Sequence, residues 1–221
     1  MTQNLIATIV ALLLSFNTAT KNVDQYEQRS PDAIIATREF SLENRYRAPS
    51  VNEVFKKNIL LNIAYMRGSV EKKSDINWNN IEQPFHYEFI LKPNETFAYH
   101  DDVLQEYSDS VVKTTESHFG PREGFVSDGY LFGDGVCHLA SLINWVAQDA
   151  ALQVKVTKNH NFAAIPDVPQ KYGVSIYTNE GVKGSGSRNN LYITNNKEHD
   201  VRFHFEYDAN QELKVYVTEA V

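Results

Sequence analysis

The chain has 221 residues, 42% hydrophobic and 12% aromatic, with a formal net charge of -7. That length buries a sizeable core without covalent staples, and a negative balance with no basic stripe argues against nucleic acid as a partner. A single cysteine excludes both an internal disulfide framework and a thiolate-rich zinc centre.

Residues 5–16 form an apolar run free of charge. As a helix rising ~1.5 Å per residue, it falls short of the ~30 Å hydrocarbon core of a bilayer. This suits the central region of a secretory signal, with Thr18-Ala19-Thr20 as a small-residue cleavage site. No Lys or Arg precedes the run, so the usual positive lead is missing, and a buried N-terminal helix is the alternative. Residues 1–20 are read as an export signal or short anchor, the only membrane contact expected. Residues 21–48 are mostly polar and charged and include Pro31, which reads as a linker or loosely packed arm.

The domain proper is expected over residues 49–221. Ser50 and Glu53 have the spacing of a capping box. Val51, Val54, Phe55, Ile59, Leu61, Ala64 and Tyr65 follow at helical period, with a stop near Arg67-Gly68. Residues 85–91 read as a strand closed by a turn at Lys92-Pro93-Asn94-Glu95. Residues 101–135 show little periodicity, yet the stretch is too long for an idle connection and is expected to form part of a site. Past Gly135, the residues Val136, Leu139, Ala140, Ile143, Val146, Ala147 and Ala150 share one helical face. Cys137, Ser141, Asn144 and Gln148 form a polar flank beside it. Strands are expected at 153–157, 172–178, 191–194, 201–207 and 213–218, with a turn at Asp208-Ala209-Asn210 joining the last two. Gly184-Ser185-Gly186-Ser187-Arg188 lacks the Lys-Ser/Thr end of a phosphate loop and reads as a flexible hairpin or lid. Helices before strands, without βαβ alternation, predict an α+β fold: a single domain with two main helices and a mostly antiparallel sheet.

The chemistry centres on Gly133-Asp134-Gly135-Val136-Cys137-His138 and, downstream, Asn159-His160-Asn161. A thiol at a helix N-terminus meets unsatisfied N–H groups and a favourable dipole, which lower its pKa. His160 as base and Asn159 as orienting amide would complete an acyl-transfer site, with backbone N–H groups of the same turn as an oxyanion hole. Asp134 opposes this: as an N-cap it competes for those N–H groups and raises a neighbouring thiol's pKa. The alternative is a cysteine that packs as a small hydrophobe. Arg122 reads either as a carboxylate clamp or as half of a surface pair with Glu123. Cys137 and His138 project about 100° apart and cannot readily share a metal even with His160, Asp134 or His100, so no metal or cofactor is expected. His86, His118, His199 and His204 have no partners in sequence and read as structural.

Several of these blocks together resemble a known family. Lys57-Asn58-Ile59, then Leu91-Lys92-Pro93-Asn94-Glu95-Thr96-Phe97-Ala98-Tyr99, then Gly120-Pro121-Arg122-Glu123-Gly124-Phe125 with Gly133 to Cys137, and then Asn159-His160-Asn161, are similar in order and spacing to the motifs of VanW-like proteins of the bacterial cell envelope. More loosely, residues 189–196 resemble that family's closing strand. The likeness spans about residues 52–221. Asp134 stands where the family has glycine, His138 where it has glutamine, and Asn94 where it has the turn glycine. The resemblance implies an exported protein in an envelope setting, with peptidoglycan or its peptide stems as partner and Arg122, Asp134 and His138 near the ligand. Two functions follow as expectations: a Cys/His-dependent hydrolase or acyltransferase on peptidoglycan peptides, or a non-catalytic envelope-binding or assembly domain.

Overall fold

A computed structural model describes residues 32–130, 133–178, 182 and 184–220. Strand β1 (Ala33–Ser41) leads into helix α1 (Pro49–Met66), the short α2 (Trp78–Ile81), and strands β2 (Phe85–Leu91), β3 (Thr96–Ala98) and β4 (Val111–Lys113). Helix α3 (Val136–Asp149) follows, then β5 (Gln153–Val156), β6 (Leu191–Thr194), β7 (Val201–Tyr207) and β8 (Glu212–Glu219). The strands form two four-stranded sheets, ordered β1-β8-β7-β2 and β4-β3-β6-β5. All pairings are antiparallel except β3 with β4. The fold is therefore α+β, as the order of elements predicts, with its strands divided between two sheets.

Helix α3 touches α1 and strands of both sheets, and its residues are buried nearly all round, polar ones included. A helix enclosed on every side belongs in a core rather than on a surface. Phe203 and Phe205 of β7, Val215 and Val217 of β8 and Phe97 of β3 are fully buried with it. The Phe89 ring stacks on Phe203 at 5.1 Å and on Phe97 at 5.2 Å, a geometry that adds to simple area burial.

Several expectations need correction. Residues 21–48 are not all linker: β1 lies within them and pairs along its length with β8. Residues 1–31 lie outside the described residues, and the expected export signal with them. The capping box does not form, because α1 starts at Pro49 after an extended Ala48, with no side-chain cap. Proline suits that first position, where its missing N–H has no partner to lose, and Ser50 is left inside the first turn. Asp134 is not the N-cap of α3 either; Gly135 is, with φ 101° and no side-chain cap.

Residues 172–178 do not form a strand, and the reason lies in α3. Tyr172 closes a short 3₁₀ turn, Gln170–Tyr172, and from there to Ile176 the backbone bonds to side chains of the helix's polar flank. Tyr172 O accepts from Asn144 Nδ2 at 2.8 Å, Val174 N–H donates to Ser141 Oγ at 2.8 Å, and Ile176 N–H donates to Cys137 Sγ at 3.3 Å. Alternate residues of an extended chain advance about 6.6 Å, and three or four residues of helix advance about 4.5–6 Å, so the two repeats run nearly in step. On its other side the segment makes one isolated bridge, Val174 with Asn159.

Gly135 sets where α3 begins against α1. A Cβ there would stand 2.6 Å from Phe55 O and 3.0 Å from Phe55 Cα, and neither backbone atom can yield without moving α1. Gly135→Ala is expected to lower unfolding stability by about 2–4 kcal/mol, read by urea denaturation; a loss under about 1 kcal/mol would contradict this contact.

Candidate functional site

The start of α3 opens into a cavity of about 1140 Å³. Its lining brings together Asp134, Cys137 and His138 with His160, and adds Arg45, Arg47, Phe55, His118, Lys158 and Ile176. Four of the six expected site residues thus share one cavity. Asn159 is exposed in its bridge to Val174, and Arg122 is exposed on a short 3₁₀ turn, Pro121–Glu123. Among the described residues neither joins the lining, although Gly120 and Pro121 do.

The loop before α3 is tied down by amide side chains of α1. Asn58 Nδ2 donates to Val126 O at 3.0 Å and to Asp134 O at 2.9 Å, while its Oδ1 accepts from Val126 N–H at 2.8 Å. Asn62, one turn on, donates to Ser117 Oγ at 2.7 Å, and its Oδ1 lies 2.7 Å from the Tyr99 hydroxyl. Asn58 and Asn62 are fully buried, where leaving such groups unpaired costs about 1–3 kcal/mol each. These bonds place one rim of the cavity.

Cys137 does not meet His160. Among the described residues its sulfur bonds only to the backbone of Ile176, accepting from N–H at 3.3 Å and facing the carbonyl oxygen at 3.6 Å. Burial pushes the thiol up to about 11; the Ile176 N–H acts against this and the Asp134 charge adds to it. The dipole at the helix start is outweighed, and the cysteine stays a protonated thiol at neutral pH.

The imidazoles are neutral as well. Burial first, then the charges of Arg45 and His160, push His138 down to about 3. Its ring meets Phe55 edge-on at 4.9 Å and His160 at 6.5 Å. Its Nδ1 is buried without a hydrogen-bond partner among the described residues. His160 Nδ1 lies 3.0 Å from Ala163 O and so carries the proton, its ring lies 4.0 Å from that of Phe162, and burial lowers its pKa. Asp134 is raised to about 6, by burial first and then by Asp128. His118 differs: burial opposes its charge, but bonds of 2.9 Å to both Glu123 and Asp101 outweigh it and raise its pKa.

Arg45 gives no signal in the sequence. It lies in the stretch read as linker, yet its side chain is 0% exposed. It pairs with Asp167, donates to Pro166 O at 3.0 Å, and stacks over Phe40 at 4.0 Å. A buried guanidinium needs such partners, and Asp167 lies 122 residues away. Only the short apolar run Ala33-Ile34-Ile35-Ala36 hints that this arm packs at all.

Chemically, the cavity offers an uncharged thiol, two neutral imidazoles and the carboxylate-paired His118, and among the described residues no base is hydrogen-bonded to the thiol. The wall suits recognition by shape and hydrogen bonding better than proton transfer. A comparison with protein-family profiles, curated proteins and solved structures finds no match to this chain.

The lowered pKa of His138 has a stability consequence. The unfolded chain takes up a proton near pH 6.5 that the folded chain refuses until about pH 3, so stability is full above the first value and falls as pH drops between the two. His138→Gln, which cannot charge, is expected to flatten that part of the curve in urea unfolding from pH 7 to pH 4. An unchanged slope would show that His138 is not the refusing group.

Proposed function

We propose that this protein is a non-catalytic binding domain of the bacterial cell envelope, VanW-like, whose cavity holds a carboxylate-bearing peptide segment such as a peptidoglycan stem. The observation that supports binding over catalysis is the state of Cys137: a protonated thiol, bonded to Ile176, with no base in contact among the described residues. The expected hydrolase or acyltransferase needs a thiolate or a thiol–imidazole hydrogen bond, and this geometry weighs against it. The envelope setting rests on the resemblance of the ordered sequence blocks.

Ligand chemistry follows from the lining. The chain is acidic overall at -7, yet the cavity is lined by Arg45, Arg47 and Lys158 against one carboxylate, Asp134. Arg45 is already paired with Asp167, which leaves the exposed Arg47 and Lys158 as the attraction for an anion. Phe55, Phe119, Val136 and Ile176 supply apolar wall. The volume of about 1140 Å³ slightly exceeds the ~300–1,000 Å³ of pockets for single small molecules. It suits a short peptide better than an ion.

Calorimetric titration with a peptidoglycan stem pentapeptide, as free acid and as C-terminal amide, tests the proposal. The acid is expected to bind and the amide to bind more weakly, with Lys158→Glu costing about five- to tenfold in affinity. Cys137→Ser, which keeps a donor and acceptor for Ile176, should stay within about twofold, and the peptide should be recovered intact. Equal binding of acid and amide, no binding, or cleavage abolished by Cys137→Ser would overturn the reading.

A further inference from the structure

The face of the first sheet that carries the side chains of His86, Glu88 and His204 lies apart from the cavity. Strands β2 and β7 pair with Glu88 directly opposite His204, and His86, two residues along β2, projects from the same face. His86 Nε2 lies 3.2 Å from His204 Nδ1, and Glu88 Oε2 lies 3.3 Å from that same nitrogen. All three atoms fall within 4.8 Å of one another. A tetrahedral ion with bonds of about 2.0–2.1 Å holds its ligand atoms about 3.4 Å apart, so two of the three separations already match.

The surroundings fix the ligand atoms. His204 Nε2 is 3.1 Å from Thr218 Oγ1; with its proton on Nε2 donated to that hydroxyl, Nδ1 presents a lone pair to His86 and Glu88. The His204 ring is held by Tyr216, stacked at 4.3 Å and 4°. Arg202 binds the other oxygen of Glu88 and so orients the carboxylate. Partners of this kind hold and tune the ligands of metal sites. The arrangement also contains a conflict. With the Nε2 proton given to Thr218, the His204 Nδ1 lone pair and the Glu88 oxygen face each other at 3.3 Å. A cation between them removes the repulsion.

We propose that His86 Nε2, His204 Nδ1 and Glu88 Oε2 form a zinc(II) site that clamps the edge strand β2 to β7. Two imidazoles and one carboxylate are a zinc-type donor set with an open fourth position. Magnesium and calcium, which favour oxygen alone, fit poorly.

The test is titration of the metal-free full-length chain with zinc(II) against a chromophoric chelator, repeated with cobalt(II) for its visible absorption. One zinc per chain at micromolar concentration is expected, with cobalt bands typical of a tetrahedral site. His86→Ala, on an exposed position, and Glu88→Gln should each weaken binding by about tenfold or more with unchanged far-UV circular dichroism. Cys137→Ser serves as control and should bind as wild type. Absence of binding, affinities unchanged in His86→Ala and Glu88→Gln, or a loss confined to Cys137→Ser would each overturn the site.

Discussion

The hydrogen bonds between the polar flank of α3 and residues 172–176 are the constraint on which the cavity depends. Cys137, Ser141 and Asn144 reach the backbone of Ile176, Val174 and Tyr172 in turn, and Ser141 returns its proton to Cys137 O at 2.7 Å. A buried extended segment must satisfy its N–H and C=O groups somewhere. Here a helix supplies the partners along one side and the backbone of residues 158–160 along the other. Ile176 thereby becomes cavity wall, and Ser175 N–H donates to Lys158 O at 2.8 Å, which keeps the chain carrying His160 alongside. The thiol is one rung of this ladder, and its protonated state follows from that role.

The opposite side of the cavity is set by close approach between α1 and the turn before α3. Gly135 admits the backbone of Phe55, and Asn58 binds both ends of the loop from Val126 to Asp134. Buried amides recur at the other junctions. Asn190 links to the backbone of His100, and Asn195 donates to Leu91 O at 2.9 Å and His199 O at 2.8 Å. Asn58, Asn190 and Asn195 all lie in the sequence blocks on which the proposed VanW-like reading rests. In this fold those three residues act as loop fasteners, a role that needs a buried amide with both a donor and an acceptor.

What the sequence makes legible divides along physical lines. The helix at Val136–Asp149 and the strands at Phe85–Leu91 and Val201–Tyr207 were readable because their apolar periods are strong. The polar flank of α3 was readable too, although not what it would bind. The strand expected at 172–178 failed because periodicity reports an extended chain, not the identity of its hydrogen-bonding partner. β1 was hidden because it is an edge strand, only partly buried until Phe40, so its composition reads as a polar arm. The site followed the same division. Asp134, Cys137, His138 and His160 were legible as one group, since residues near a helix start and those on the returning chain converge. Arg45 and its partner Asp167 are joined only by tertiary folding. The thiol's ionisation was read in opposite senses by helix dipole and neighbouring carboxylate, and burial, absent from sequence, decided it.

That protonated, structurally committed thiol is the central claim, and one measurement reaches it most directly. The rate of Cys137 alkylation is followed against pH in the wild-type chain and in His160→Ala; the single cysteine makes the signal specific. A slow reaction whose rate rises only towards pH 11, unchanged by removing the imidazole, is the predicted result. A fast reaction with a midpoint below the ~8.5 of an ordinary thiol, shifted upward in His160→Ala, would contradict it and return the site to nucleophilic catalysis.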